Sequence, residues 1–206
     1  MIIRQNDKPL CAISYETSTY ANLKKLISSR NSCDILYRIH PEEFIKNPST
    51  EFQYVNLVVL DYTEREKISF ILDEKELGRF TFIDDSFGNA QDSNNVHAGP
   101  GCVLMSGIFS YGATLGKDCI VHGRVSFAED VSIGNGCFLS GLVTVAGSTK
   151  IGNFCFISTN VTIMDHLTIN DHVRLLPGMV VRKSITDPGT YYNPYVFEVK
   201  KMKDAI

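Results

Sequence analysis

The chain has 206 residues, 44% of them apolar, and a formal charge of -3. That length holds one large domain or two modest ones, and the nearly balanced charge supplies no basic surface for nucleic acid or a membrane. No run nears the ~20 apolar residues of a membrane span, and the opening MIIRQNDKPL lacks the apolar core of a signal peptide, so a cytoplasmic protein is expected.

Residues 1–87 are predicted to form a small α/β (Rossmann-like) domain. Pro9–Ser14 reads as a strand, followed by a turn and a helix over Tyr20–Ser29. Asp34–Arg38 and Val55–Asp61 read as buried strands. Glu64–Leu77 carries Ile68, Phe70, Ile71 and Leu77 at spacings that suit a helix packed on a sheet, and Arg79–Ile83 is a fourth strand. Strands alternating with helices imply a mostly parallel sheet. The polar run Gly88–Asn95 is expected to be a linker.

From Val103 the pattern changes. Every sixth residue is large and apolar: Val103, Phe109, Leu115, Val121, Phe127, Ile133, Leu139, Val145, Ile151, Ile157, Ile163, Ile169, Leu175 and Val181. Small or polar residues usually follow, and compact or branched residues stand four positions on. A period of six fits neither a helix nor an alternating strand; it predicts a hexapeptide β-helix over residues 96–183, one short strand and one corner per hexapeptide. Pro188-Gly189 marks the exit into a tail, residues 184–206, that ends in a basic segment.

Cys119, Cys137 and Cys155 lie 18 residues apart, one full three-strand coil, and should stack about 4.8 Å apart as small core hydrophobes. Six cysteines without a close pair suit a reduced compartment and offer no zinc site. His97, His122, His166 and His172 show no spacing for a shared metal; His166 and His172 fall on different faces and read as solvated corners.

This layout resembles the sugar acyltransferases of the sialic acid O-acetyltransferase and bacillosamine N-acetyltransferase type, most clearly over residues 96–192. The ending DPGTYYNP is similar to the PGTYYGNPA tail of hexapeptide acyltransferases, one glycine short. The resemblance implies a left-handed parallel β-helix, a homotrimer, and acetyl-CoA as co-substrate in the groove between neighbouring helices, with no metal. The acceptor would be a sugar or nucleotide sugar used in surface polysaccharide or glycan synthesis. The run Ile120–Asn135, IVHGRVSFAEDVSIGN, corresponds to the family's active stretch. The family's histidine base falls on Glu129, its acidic partner on Asp130 and its active-site asparagine on His122. Gly147 corresponds to the glycine whose N–H faces the thioester carbonyl. Arg174, Arg182 and Lys183 fall where the nucleotide end of coenzyme A would lie.

Acetyl transfer needs a base, an oxyanion donor and a groove that aligns two substrates. A carboxylate becomes an adequate base when burial or a like charge raises its pKa. Asp130 beside Glu129, and Asp165 two coils on, would supply such a cluster. His122 is the other candidate base, and a third possibility is that neither acts. The turn Ser14–Tyr20 (SYETSTY) has no glycine where the resembling enzymes approach a diphosphate with bare backbone. The sequence thus supports an acyltransferase, and an acyl donor other than acetyl is a further reading because the groove residues do not fix acyl length. The alternative is a catalytically inactive trimer serving as scaffold or regulator, since the histidine base is replaced.

Overall fold

The structure is a computed structural model that describes residues 2–3, 9–15, 21, 24–25, 35–58, 61–84 and 97–194. The expected Tyr20–Ser29 helix and Gly88–Asn95 linker lie largely or wholly outside these residues. No helix among the described residues is long and apolar enough to cross a membrane.

The N-terminal part contains a four-stranded parallel sheet. Strands β2 (Leu10–Ser14), β3 (Ile35–Ile39), β4 (Gln53–Val58) and β5 (Gly78–Arg79) stand in the order β3-β2-β4-β5. Alternation along β2 decides what each side meets. Cys11 and Ile13 face two helices together with Phe44, Tyr54, Ile68 and Leu72. Leu10 and Ala12 face the other way, with Val55 and Phe80, onto Val103, Ile120 and Phe138.

Helix α1 (Pro41–Lys46) starts at His40, whose ring accepts from Glu42 N–H, and has Pro41 in its first turn, where a missing donor costs nothing. Six residues are too few to show a helical period, which is why the sequence reading has no helix there. Helix α2 (Tyr62–Glu74) begins earlier than predicted because Asp61 caps it, accepting from Thr63 N–H (2.9 Å) and Glu64 N–H (3.1 Å). Of the four apolar residues in the pattern Ile68 and Leu77 are buried, with Leu72 beside them, but Phe70 is 64% exposed. The predicted strand Arg79–Ile83 is two strands in two sheets. Its first half is β5, while β6 (Thr81–Ile83) pairs in parallel with Val103–Leu104 and antiparallel with β1 (Ile2–Ile3).

Residues 97–194 wind into a parallel β-solenoid resembling a left-handed β-helix, with three faces. The docked face carries Val103–Leu104, Ile120–Val121, Phe138–Leu139, Phe156–Ile157, Val173–Leu175 and Gly189–Tyr191, continuing from β6. The open face carries Gly107–Phe109, Val125–Phe127, Thr144–Val145, Thr162–Ile163 and Val180–Val181. The back face carries His97–Ala98, Thr114–Leu115, Ser132–Ile133, Lys150–Ile151 and Thr168–Ile169. The apolar column fills the interior from Phe109 to Val181. One member is displaced: Leu104, not Val103, pairs with Val121 and points inward, and Val103 packs outward against the N-terminal sheet. The first docked-to-open corner is therefore one residue shorter than the rest.

Corners repeat in the left-handed region at Asp118, Arg124, Asp130, Leu142, Ser148, Phe154, Asn160, His166 and His172, with Gly112, Gly136 and Gly178 in the same series. Side chains tolerate that region poorly. Glycine at 112 and 136 also leaves room for a neighbour, since a Cβ would press on the Asp130 carboxylate or on the Phe154 ring one coil on. Cys102 joins Cys119, Cys137 and Cys155 in a buried ladder of free thiols, each sulfur 3.0–3.1 Å from a corner carbonyl of the next coil. Burial pushes the Cys137 thiol well above its ordinary pKa.

A buried polar joint fixes α2 to the solenoid. Arg79 Nε donates to Asp118 Oδ1 at 2.9 Å, its Nη2 donates to the Ser69 carbonyl at 3.0 Å, and Ser69 Oγ donates to Asp118 Oδ2 at 2.5 Å. Arg65 Nη2 donates to the carbonyls of Asp118 (3.0 Å) and Cys137 (3.1 Å).

Candidate active site

The corner between the open and back faces gathers most of the residues singled out in the sequence. Residues 18 apart stack there, so Glu129, Gly147, Asp165 and Lys183 form one ladder, each one coil above the last. Glu129 is exposed, and its carbonyl accepts from Ser148 N–H at 2.8 Å. A Cβ on Gly147 would stand 3.3 Å from that same carbonyl oxygen, so the corner is narrow at this level. Gly147 N–H donates to no backbone acceptor among the described residues, which leaves it able to meet a developing oxyanion. Ala128 and Ala146 keep the neighbouring ladder slim below Met164 and Arg182. Arg182 and Lys183 are exposed at the far end.

Other expectations change. The carboxylate of Asp130 folds over Gly112 in the preceding coil, not toward Gly147 in the following one. Asp165 is exposed and engaged with its neighbour in the chain. His166 Nδ1 lies 2.9 Å from its Oδ2, and that hydrogen bond holds the Asp165 carboxyl below its ordinary value. Arg174 is not clustered with Arg182 and Lys183. It lies on the docked face, its guanidinium 4.6 Å above the Phe156 ring, which itself stacks on Phe138 at 4.8 Å.

His122 stands at the corner between the docked and open faces, so a whole open-face strand separates it from Glu129 within one chain. Its ring is half-buried beside Phe138, centroids 5.2 Å apart, and burial pulls its pKa down. The imidazole is thus neutral, and able to accept a proton, at pH 7. His172 is not a solvated corner: it lies between Tyr62 and Phe154, with Nε2 3.1 Å from Glu66 Oε2, and helps tie α2 to the solenoid. The stacking of Phe154 under His172 follows from their 18-residue spacing; Tyr62 and Glu66 could not be read from it.

The outward column of the open face is Ile108, Ser126, Thr144, Thr162 and Val180, without a charge. Ile108 is 62% and Val180 51% exposed, and Leu142 and Met164 stand exposed on the flanking corners. The face is thus uncharged along its outward column, with exposed apolar side chains at its two ends and on its flanks. Among the described residues no group of three or more His, Cys, Asp or Glu converges to share a metal ion.

No family model and no curated protein matches the chain by sequence. Solved structures do match its fold. The acetyltransferase domain of PglB from Neisseria gonorrhoeae, solved with acetyl coenzyme A, superposes with a TM-score of 0.73 at 16% identity, covering 90% of this chain and 97% of that one. A variant of perosamine N-acetyltransferase from Caulobacter crescentus, solved with CoA and GDP-perosamine, gives 0.71 at 13% identity over 91% and 95%. WeeI from Acinetobacter baumannii gives 0.57 at 12% identity over 91% and 98%. The chain therefore shares, over nine-tenths of its length, the fold of hexapeptide-repeat sugar acetyltransferases.

Proposed function

We propose that the protein transfers an acyl group, acetyl in the first instance, from coenzyme A to an amino or hydroxyl group of a sugar in glycan or surface polysaccharide synthesis. The observation that carries this reading is the Glu129–Gly147 stack on an exposed corner of a fold shared with acetyl-CoA-dependent sugar acetyltransferases. In the reaction the acceptor nitrogen or oxygen attacks the thioester carbonyl, the C–S bond breaks, and the CoA thiolate receives the proton removed from the acceptor. Glu129 accepts that proton, and Gly147 N–H donates to the carbonyl oxygen as charge develops there. Arg182 and Lys183, further along the same corner, suit the phosphates of coenzyme A. Arg174, on another face, does not join them in one chain.

A homotrimer joined through the open face completes the reading. The uncharged column from Ile108 to Val180 supports it, and such packing would bring His122 of one chain toward the Glu129 corner of the next. His122 is then the second candidate base.

Calorimetric titration with acetyl-CoA and a thiol-release assay on amino-sugar acceptors test the proposal. Saturable micromolar binding is expected, with Glu129→Gln lowering kcat by about 10²–10⁴-fold. If neither acetyl-CoA nor CoA binds at millimolar concentration, the enzyme reading fails and the inactive trimer takes its place. If Glu129→Gln keeps full turnover while His122→Ala loses it, the base is His122.

A further inference from the structure

In an open parallel sheet, ligands enter the crevice beyond the carboxyl ends of the strands, where the order of connections reverses. Here that point lies between β2 and β4, because the chain leaves β2 for β3 on one side and then crosses to β4 on the other. Tyr15, directly after β2, reaches across it: its hydroxyl lies 2.8 and 2.7 Å from the two carboxylate oxygens of Glu64 on α2. The His40 ring closes against Tyr15 edge-on, centroids 4.9 Å apart.

The electrostatics of the crevice are negative. Glu64, Glu42 and Asp61 all act on Tyr15, and the Glu64 hydrogen bond, followed by desolvation and these charges, pushes its pKa up to about 12. Asp61 is held ionised, its carboxyl below the usual range because Thr63 and Glu64 donate to it. Those same N–H groups open α2, so the helix end that could receive a phosphate already holds a carboxylate. The nearby cations are engaged as well: Arg38 donates to the Ser14 carbonyl at 3.2 Å, and Arg174 lies over Phe156 and also favours the Asp61 carboxylate.

We propose that the Tyr15–Glu64 latch and the Asp61 carboxylate make this crevice reject a diphosphate, so that the acceptor is a sugar not carried on a nucleoside diphosphate. This rests on the acyltransferase reading and sets the chain apart from the perosamine enzyme solved with a GDP-linked sugar.

The test is calorimetric titration of the full chain with UDP and with GDP, alongside CoA, repeated on Asp61→Asn/Glu64→Gln. Asparagine still caps the helix and glutamine still accepts from Tyr15, so the variant should fold. The expected result is no saturable nucleotide binding to the parent at millimolar concentration, and binding at least about tenfold tighter in the variant. Micromolar binding of UDP or GDP to the parent overturns the proposal. So does a variant that binds neither nucleotide even when Tyr15→Phe also opens the latch, because neither the carboxylates nor the latch would then be the barrier. Failure of the CoA titration alone strikes the acyltransferase reading and leaves the nucleotide result standing.

Discussion

The solenoid and its joint to the N-terminal sheet are stabilised in opposite ways. In the solenoid each coil buries the same kind of side chain against its two neighbours, so the core from Phe109 to Val181 is a sum of similar apolar contacts. The joint is singular: Arg65, Arg79, Ser69 and Asp118 meet once, out of water, and depend on one another. A repeated apolar core loses stability in proportion to what is removed. A buried ion network loses more than any one bond, because the partner left behind is a charge without compensation.

Asp118→Asn should show the largest effect. It keeps a residue suited to the left-handed corner at φ 57° but removes the buried charge facing Arg79, leaving that guanidinium the half-exposed Asp73 as its ionic partner, and the loss should be about 3–5 kcal/mol, read as a lowered urea midpoint. An Asp118→Asn protein as stable as the parent would show the joint to be dispensable. Ile157→Ala, in the middle of the solenoid, should cost about 2–5 kcal/mol, and Ile157→Val about 0.5–1.5. If the two differ little, the coils relax around vacancies and the additive picture fails.

The smallest effect expected is one of pH. Burial depresses the folded-state pKa of His122 below the ordinary histidine value of about 6.5. Stability from keeping it neutral is therefore present above about pH 6.5 and lost as pH falls through the depressed folded value. His122→Asn should flatten that part of the stability profile. An unchanged slope would mean the imidazole is hydrated in solution.

The same contrast explains what could be read in the sequence. The period of six, with its 18-residue stack, placed Glu129 and Gly147 one above the other and put the cysteines in a ladder. It also contained the true face of Arg174, which lies 18 residues beyond Phe156, although proximity in sequence to Arg182 and Lys183 suggested a cluster. At the start of the solenoid the pattern is ambiguous, because Val103 and Leu104 are both apolar and only the shortened corner decides which turns inward. The joint left no trace: Arg65 and Arg79 stand 53 and 39 residues from Asp118, and isolated charges read as surface. The Tyr15–Glu64 latch, 49 residues apart, was hidden for the same reason, though the absent glycine between Ser14 and Tyr20 pointed to an altered crevice.

The pairing of β6 has a consequence for solubility. A parallel solenoid ends in unpaired strand edges, and another copy could dock there and extend the ladder into a fibre. On the docked face β6 covers the first coil, and Ile2–Ile3 then adds in the opposite direction. That reversal breaks the parallel polarity, so an incoming solenoid cannot continue the register at this edge. Ile2–Ile3 thus caps one of the three faces at this end, while His97–Ala98 and Gly107–Phe109 stay the edge strands of the other two, so a copy docking here could not extend all three ladders together.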